Sequence, residues 1–361
     1  MQQKLLSSQI IFLGFFVTNG LQDAIKCDGL CVPLNQCKSD PGSFNVVDIT
    51  GVADVTCPHY LEVCCPRENI ISDKTDSCNN NAIKTFRDCG RRNQDGIGFR
   101  ITHAKHNETE FGEFPWVVAI LQVEETQSES AEPNITLLCG GSLIASNVIL
   151  TAAHCVMNQK AEKLVVRAGE WDIATNNEVI AYQEQNVKTV IFHPNFDPEL
   201  LFFDLALLIT EADFFADEHI QLLCLPPQNK VFNDDNCFTT GWGKVDFAAQ
   251  SYQTILKKIE VPMVPRQNCE TFLRATQLGP KFRLHDSYIC AGGEEGVDSC
   301  TGDGGSPLMC PVPGFKNKYF QAGIVAWGIG CGQKDIPGVY VRVSLFTEWI
   351  KEKINAANQI K

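Results

Sequence analysis

The distribution of cysteines constrains this chain more than any other feature of its sequence. Six of the 17 cysteines lie between residues 27 and 65. A segment of roughly 40 residues cannot bury enough apolar surface to fold unaided, so the crowding predicts a small domain, residues 21–66, held by disulfides. So many cysteines also indicate an oxidising compartment, since their spacing lacks the paired CxxC units of zinc sites.

The N-terminus is typical of a secreted protein. Lys4 precedes the apolar run at 10–17, which small and polar residues follow, so residues 1–20 are interpreted as a signal peptide. No stretch reaches the roughly 20 apolar residues that a membrane helix needs. We therefore predict a secreted, extracellular protein without a membrane segment, in which the sequons at Asn107 and Asn134 are candidate glycosylation sites.

The acidic composition argues against nucleic-acid binding. The chain has 43 Asp and Glu residues against 30 Lys and Arg, for a net charge of -13. Binding to nucleic acid depends on clustered Lys and Arg that neutralise phosphates. The sequence offers no such stripe, so no nucleic-acid partner is expected.

Beyond residue 66 the chain divides into a polar stretch and a long β-rich region. Residues 67–100 show no sustained apolar period and are interpreted as a linker. Across residues 101–361, brief apolar runs between turn residues predict an all-β barrel or sandwich. The exception is a C-terminal helix, predicted from apolar residues that recur at helical spacing. These residues are Phe346, Trp349, Ile350 and Ile354.

Three segments of the β-rich region together indicate acyl-transfer chemistry. They are TAAHC at 151–155, DLALL at 204–208 and DSCTGDGGSPL at 298–308. His154 has the character of a general base, and Asp204 that of the carboxylate that orients it. In this order the segments resemble the trypsin-like serine protease family, over residues 101–355. The resemblance implies a trypsin-like double β-barrel with a C-terminal helix.

One position departs from the family pattern. The family motif is Gly-Asp-Ser-Gly-Gly-Pro, and aligning it with the segment from Gly302 to Pro307 places Gly304 at the nucleophile. Ser306 lies two residues on, about 6 to 7 Å further along an extended backbone, beyond hydrogen-bonding reach of the base. Ala326 also replaces a serine that supports the orienting Asp in the family. No hydrolase activity is therefore expected, and the vestigial triad positions are His154, Asp204 and Gly304.

The resemblance also implies a specificity pocket. Asp298, Gly328 and Gly338 match family positions that form a deep pocket with a carboxylate at its floor, which suits an Arg or Lys side chain. The same positions are equally consistent with inherited scaffolding that binds nothing.

The cysteine pattern of the family implies a set of disulfides in the β-rich region. The implied pairs are Cys139–Cys155, Cys237–Cys310, Cys269–Cys290 and Cys300–Cys331, and Cys89 is expected to join the linker to Cys224. Cys78 is left over, which indicates an intermolecular bond or a free thiol.

The N-terminal module resembles the clip domain found ahead of arthropod serine proteases and their inactive homologues. That resemblance selects the pairs Cys27–Cys64, Cys31–Cys57 and Cys37–Cys65 from the many connectivities that six cysteines allow. A combination of three features resembles the clip-domain serine protease homologues, including the prophenoloxidase-activating factor type. The features are the clip module, FGEFPW at 111–116 and GDGGSP at 302–307.

This kinship implies a function. The expected protein is a secreted, non-catalytic cofactor of an extracellular immune cascade, acting in haemolymph with prophenoloxidase and clip-domain proteases as partners and able to form oligomers after cleavage. Two alternatives remain open. One is an active protease of Arg or Lys specificity that uses Ser306 or another hydroxyl, and the other is an adhesion or matrix protein that uses the barrel as an interaction surface.

The bond between Arg100 and Ile101 resembles an activation site. Cleavage there would free the Ile101 α-amino group, which could pair with Asp303. The stretch from Ile101 to Pro115 is about two residues longer than in the family the chain resembles, and Thr102-His103 stands where that family has Val-Gly. Cuts at Arg91, Arg92 or inside the clip module therefore stay open.

An acidic segment at 169–184 lies where family members can place a calcium loop. Carboxylates suit calcium, so Glu170 and Glu178 are candidate ligands. A solvated acidic loop is the alternative interpretation, and no cofactor is expected to be required.

Overall fold

The computed structural model describes residues 30–33, 62–65, 85–86, 88–97, 107–124, 134–175, 178–233, 236–243, 253–295, 303–330 and 332–359. The chain divides into two compact units, residues 1–75 and 76–361. In the first unit, β1 (Leu30–Pro33) pairs antiparallel with β2 (Glu62–Cys65). Several expected features lie outside the described residues: the signal peptide, the side chains of the clip cysteines, Cys78, the Arg100–Ile101 bond, Gly302, Asp298 and the Cys300–Cys331 pair.

Six strands of the second unit close into a barrel, in the spatial order β3-β4-β5-β8-β7-β6. Its inward residues are apolar, and Ile120, Leu143 and Leu207 are fully buried. Closure leaves no strand edge unpaired, so the barrel offers no template for pairing with another chain. The strands are β3 (Val117–Glu124), β4 (Asn134–Ala145), β5 (Val148–Thr151), β6 (Leu164–Ala168), β7 (Gln183–Phe192) and β8 (Ala206–Thr210).

Seven further strands form a second, open barrel, in the order β10-β9-β13-β14-β15-β12-β11. The two barrels are joined by buried polar contacts, among them the Ser142 hydroxyl, which donates to Gln321 Oε1 at 2.7 Å. The predicted all-β double barrel is confirmed. The strands are β9 (Cys237–Gly241), β10 (Lys257–Val261), β11 (Met263–Val264), β12 (Tyr288–Ala291), β13 (Pro307–Pro311), β14 (Tyr319–Trp327) and β15 (Gly338–Arg342).

Three α-helices accompany the barrels in the described residues. They are α1 (Ala153–Val156), α2 (Arg266–Arg274) and α3 (Thr347–Gln359). The last is the predicted C-terminal helix, and Ile350 on its inner face is fully buried. The sequence pattern did not indicate α2, because its buried side chains are only Cys269 and Leu273. None of the described helices has the length and apolar character needed to cross a membrane.

Residues 88–97, which belong to the segment interpreted as a linker, pack on the barrels. A disulfide joins Cys89 to Cys224, and the Gly90 amide donates to the Leu222 carbonyl at 2.7 Å. Gly90 has φ of 73°, and a β-carbon there would lie 2.2 Å from the Tyr319 carbonyl oxygen, so only glycine fits. This part of the chain is therefore fixed to the second unit.

A buried ion-pair network strengthens the attachment. Arg92 forms an ion pair with the fully buried Glu113 carboxylate, which also accepts from Lys258 Nζ at 2.7 Å. The Arg92 guanidinium lies over two rings, 4.8 Å from the centroid of Phe114 and 4.4 Å from that of Phe238. Cation–π contact and charge pairing at one desolvated group make Arg92 the anchor of the segment.

Removing this anchor should destabilise the barrel unit. Arg92→Ala leaves the Glu113 carboxylate buried with Lys258 as its remaining cation, so we expect a loss of about 3 kcal/mol in the free energy of unfolding. Arg91→Ala is the matched control, because the Arg91 side chain is 54% exposed and its pair with Asp88 spans 3.8 Å. Urea denaturation followed by tryptophan fluorescence measures both, and equal small losses would refute the anchor role.

Candidate functional site

His154 and Asp204 are brought together by the segments that adjoin strands β5 and β8 of the closed barrel. The single turn α1 presents His154, and Asp204 lies immediately before the buried strand β8. Asp204 Oδ2 lies 2.7 Å from His154 Nδ1, and Oδ1 accepts from the His154 backbone amide at 2.8 Å. With Nδ1 committed to the carboxylate, Nε2 is the nitrogen free to act as a base.

The loop before Asp204 holds a strained backbone. Leu201 and Phe203 have φ of 57° and 56°, in the left-handed region that bulky side chains seldom adopt. The second barrel fixes this conformation, because the Tyr288 hydroxyl donates to the Leu201 carbonyl and the Phe203 amide donates to Ser287 Oγ at 3.3 Å. Contacts from β12 and the turn preceding it therefore position Asp204.

Asp204 accepts hydrogen bonds from His154 alone among the described residues. It is fully buried, and Ala326, where the family carries a serine, offers it no hydroxyl. Tyr288 lies close enough to sense the carboxylate: burial first, and then the negative charge of Asp204, raise the pKa of the Tyr288 hydroxyl. Sequence reasoning did not single out Tyr288, because nothing local to it marks a contact with a loop more than 80 residues away.

Gly304 faces the imidazole. A β-carbon at this position would lie 3.1 Å from His154 Nε2 and 3.4 Å from Cys139 Sγ. The backbone is fixed here, because the Gly140 amide donates to the Gly304 carbonyl at 3.0 Å. His154 therefore faces a residue with no side chain from which it could remove a proton.

Ser306 does not take the place of the absent side chain. It is fully buried, and its Oγ lies against Gly140, where an added β-carbon would be 2.0 Å away. The Ser306 hydroxyl makes no hydrogen bond within the described residues. His154 Nε2 lies 3.7 Å from a different polar atom, Cys155 Sγ. The serine faces β4 of the first barrel instead of the base.

Of the other predicted site residues, Gly328, Gly338 and Asp303 lie within the described part of the chain. Gly328 and Gly338 lie at the ends of β14 and β15, and a β-carbon on Gly328 would meet nothing closer than 3.7 Å, so the space beside it is open. Asp303 is buried, and its Oδ1 accepts from the Gly243 amide at 2.8 Å. The pocket floor at Asp298 is outside the described residues.

Four of the expected disulfides are present in the described residues. They are Cys89–Cys224, Cys139–Cys155, Cys237–Cys310 and Cys269–Cys290. Cys139–Cys155 ties the helix that carries His154 to strand β4.

Comparison with known proteins agrees with this geometry. The trypsin family model matches residues 104–350. Phenoloxidase-activating factor 2 of Galleria mellonella is 48% identical over 74% of this chain and 88% of its own length. The inactive CLIP domain-containing serine proteases A8 and A28 of Anopheles gambiae are 37% and 34% identical, over 93% and 97% of this chain and 92% and 96% of their own lengths.

The chain is a clip-domain serine protease homologue of the trypsin family. The matches to the two Anopheles proteins extend over the N-terminal region as well as the barrels, since they cover more than nine tenths of the chain. Both of those relatives are named inactive, which agrees with the absence of a side chain opposite His154.

Glu170 and Glu178, the candidate calcium ligands, lie within hydrogen-bonding distance of each other in this homologue. Glu178 Oε1 accepts from the backbone amides of Trp171 and Asp172 at 3.2 and 2.8 Å, while Glu170 Oε2 accepts from Arg167 at 3.3 Å. Burial, and next the hydrogen bond and charge of Glu170, raise the pKa of Glu178 to about 8. Carboxylates suit a hard cation, although these two, even when both are bidentate, supply at most four of the roughly six to eight oxygens that calcium takes. Calcium binding stays a prediction.

A serine hydroxyl introduced at position 304 should restore only weak hydrolytic activity. We expect a fluorophosphonate to label Gly304→Ser but not the wild type, with slow arginine-ester turnover, because the new β-carbon crowds Nε2 and Asp204 still lacks a hydroxyl donor. Adding Ala326→Ser should raise the rate. Gly304→Ala, which adds the carbon without oxygen, is the matched control, and labelling of wild-type Ser306 would contradict this interpretation.

The carboxylate pair makes stability depend on pH. The pKa of Glu178 rises from 4.5 to about 8 on folding. The folded protein then binds the extra proton, so its stability contribution is complete below 4.5 and is lost as pH rises through 8. Thermal melts with a chelator should show this loss in the wild type and less of it in Glu178→Gln.

Calcium should replace the proton if the site binds it. Added calcium is then expected to raise the melting temperature of the wild type most at alkaline pH and to leave Glu178→Gln unchanged. Equal shifts in the two proteins would favour the solvated acidic loop.

Proposed function

We propose that this protein is a secreted, non-catalytic cofactor of an extracellular protease cascade that activates prophenoloxidase. The observation that carries the proposal is Gly304, which faces His154 Nε2 without a side chain. Acyl transfer by this constellation needs a nucleophile, and in subtilisin the loss of the serine lowers turnover by about a millionfold. A site of this kind can bind but not cleave.

The relatives support the cascade. One is named phenoloxidase-activating factor 2 and another, at 28% identity over 90% of this chain, phenoloxidase-activating factor 3. We infer that prophenoloxidase and clip-domain proteases are the partners of this chain, in the haemolymph. The disulfides of the barrels suit such an oxidising extracellular fluid.

Two tethered binding surfaces explain how a protein without catalytic activity could promote the cascade. A clip module joined to a rigid barrel raises the effective concentration of whatever each one holds. The protein would then bring a processed oxidase and its activating protease together, or order the oxidase into an active assembly. Cleavage, after Arg100 or inside the clip module, would be the switch that exposes the clip surface.

The active-protease alternative has one observation in its favour. The His154–Asp204 pair is assembled, with both hydrogen bonds formed. Its requirement for a hydroxyl is unmet by Ser306, which is buried against Gly140. No contact among the described residues favours the adhesion alternative.

Phenoloxidase activity in a reconstituted system tests the cofactor role. Cleaved full-length protein, mixed with prophenoloxidase and its activating protease, should raise phenoloxidase activity and yield larger complexes. A chain lacking residues 21–66 should not, because it has lost one of the two surfaces.

Pretreatment with a fluorophosphonate separates the proposal from the active-protease alternative. The cofactor effect should survive this treatment, since no nucleophile is present to react. Loss of the effect would mean that the protein works as a protease, and full activity of the truncated chain would refute the two-surface model.

A further inference from the structure

The disulfide between Cys139 and Cys155 lies beside the imidazole of His154. Cys155 Sγ is 3.7 Å from His154 Nε2, and a ring nitrogen of His154 and the two sulfurs all lie within 4.8 Å of one another. Asp204 Oδ2 lies 2.7 Å from the other ring nitrogen, Nδ1, which leaves Nε2 to exchange protons on the side of the disulfide. A base supported by a carboxylate therefore faces a sulfur–sulfur bond.

The missing side chain of Gly304 leaves a space in front of the same disulfide. A β-carbon built on Gly304 would lie 3.1 Å from His154 Nε2, 3.4 Å from Cys139 Sγ and 3.5 Å from Cys155 Sγ. Any side chain at this position would therefore cover the imidazole and both sulfurs. Gly304 is half-buried and the His154 side chain is 25% exposed, so the space is open to molecules from solvent.

A thiol that enters this space meets the groups that thiol–disulfide exchange needs. In this reaction a thiolate attacks one sulfur of a disulfide, and the other sulfur leaves and takes up a proton. A thiol sulfur in the place of the missing side chain would contact both Nε2, which can remove its proton, and Cys139 Sγ. The Cys155 sulfur lies within reach of the same nitrogen, so one imidazole can serve both proton transfers.

We propose that the Cys139–Cys155 disulfide is a site of exchange with small thiols, and that His154 carries the proton. The thiol RSH gives its proton to Nε2, and its sulfur bonds to Cys139 Sγ as the bond to Cys155 breaks. Nε2 then passes the proton to the Cys155 sulfur. One sulfur–sulfur bond forms and one breaks, so the products are a mixed disulfide on Cys139 and a free Cys155 thiol, and no oxidant is consumed.

The position of this disulfide gives the exchange a structural consequence. The cysteines of the two disulfides in the second barrel are at most 1% exposed, whereas Cys139 and Cys155 are each 7% exposed. Because the bond ties helix α1 to strand β4, exchange would release the turn that presents His154, while the hydrogen-bonded strands of the closed barrel stay paired. The proposal does not depend on the cofactor role.

Reaction with 2-mercaptoethanol, mapped by mass spectrometry, tests the proposal. The full-length protein is incubated with the thiol under native conditions and quenched in acidic denaturant that contains N-ethylmaleimide. Early in the reaction we expect the mercaptoethanol adduct on Cys139 and the maleimide on Cys155. Gly304→Ala fills the space and keeps the base, whereas His154→Gln keeps the space and removes the base. Each substitution should slow adduct formation at Cys139 by about tenfold or more, since acid–base assistance by one side chain contributes roughly 10² to 10⁴.

The Cys89–Cys224 disulfide provides an internal reference in the same digests. Cys89 is half-buried, and this disulfide lies at the Gly90 turn, where an added β-carbon would be 3.0 Å from Cys224 Sγ. Neither substitution alters that turn. A variant with a loosened fold would react faster at both disulfides, so the ratio of the rate at Cys139 to the rate at the reference is compared.

The ratio should fall in both variants. A ratio that stays the same or rises in either one would overturn the proposal. So would a wild type that forms no adduct at Cys139, or one in which the adduct forms first on Cys155.

Discussion

The buried Asp204 carboxylate is the constraint around which the vestigial site is built. It is fully buried, and both of its hydrogen bonds come from His154. Replacing the His154 side chain would leave the buried carboxylate with only the backbone amide as its donor, at a cost of about 1 to 3 kcal/mol. His154 therefore has a structural reason to remain after the nucleophile is gone. Persistence of the pair is not evidence of catalysis, whereas Gly304 bears on catalysis directly.

Motifs that occupy one stretch of chain were predictable, and contacts between distant stretches were not. The TAAHC and DLALL segments identified His154 and Asp204, and alignment of a single motif identified Gly304. The support that Tyr288 gives to the loop before Asp204, and the burial of Ser306 against Gly140, arise only when two barrels meet. Helix α2 was missed because its apolar residues are too few to form a period.

The segment at 88–97 changes what cleavage can do. The linker interpretation treated it as a polar spacer, since no periodic pattern revealed the pairing of Arg92 with Glu113. The Arg92 side chain is 9% exposed, and its backbone amide donates to the Asn317 carbonyl. A protease can therefore reach the peptide bond after Arg92 only once the segment has left the barrels. A cut after Arg100 would leave the N-terminal part attached through Cys89–Cys224. Cleavage of that kind rearranges a tether without releasing either unit, as the two-surface mechanism requires.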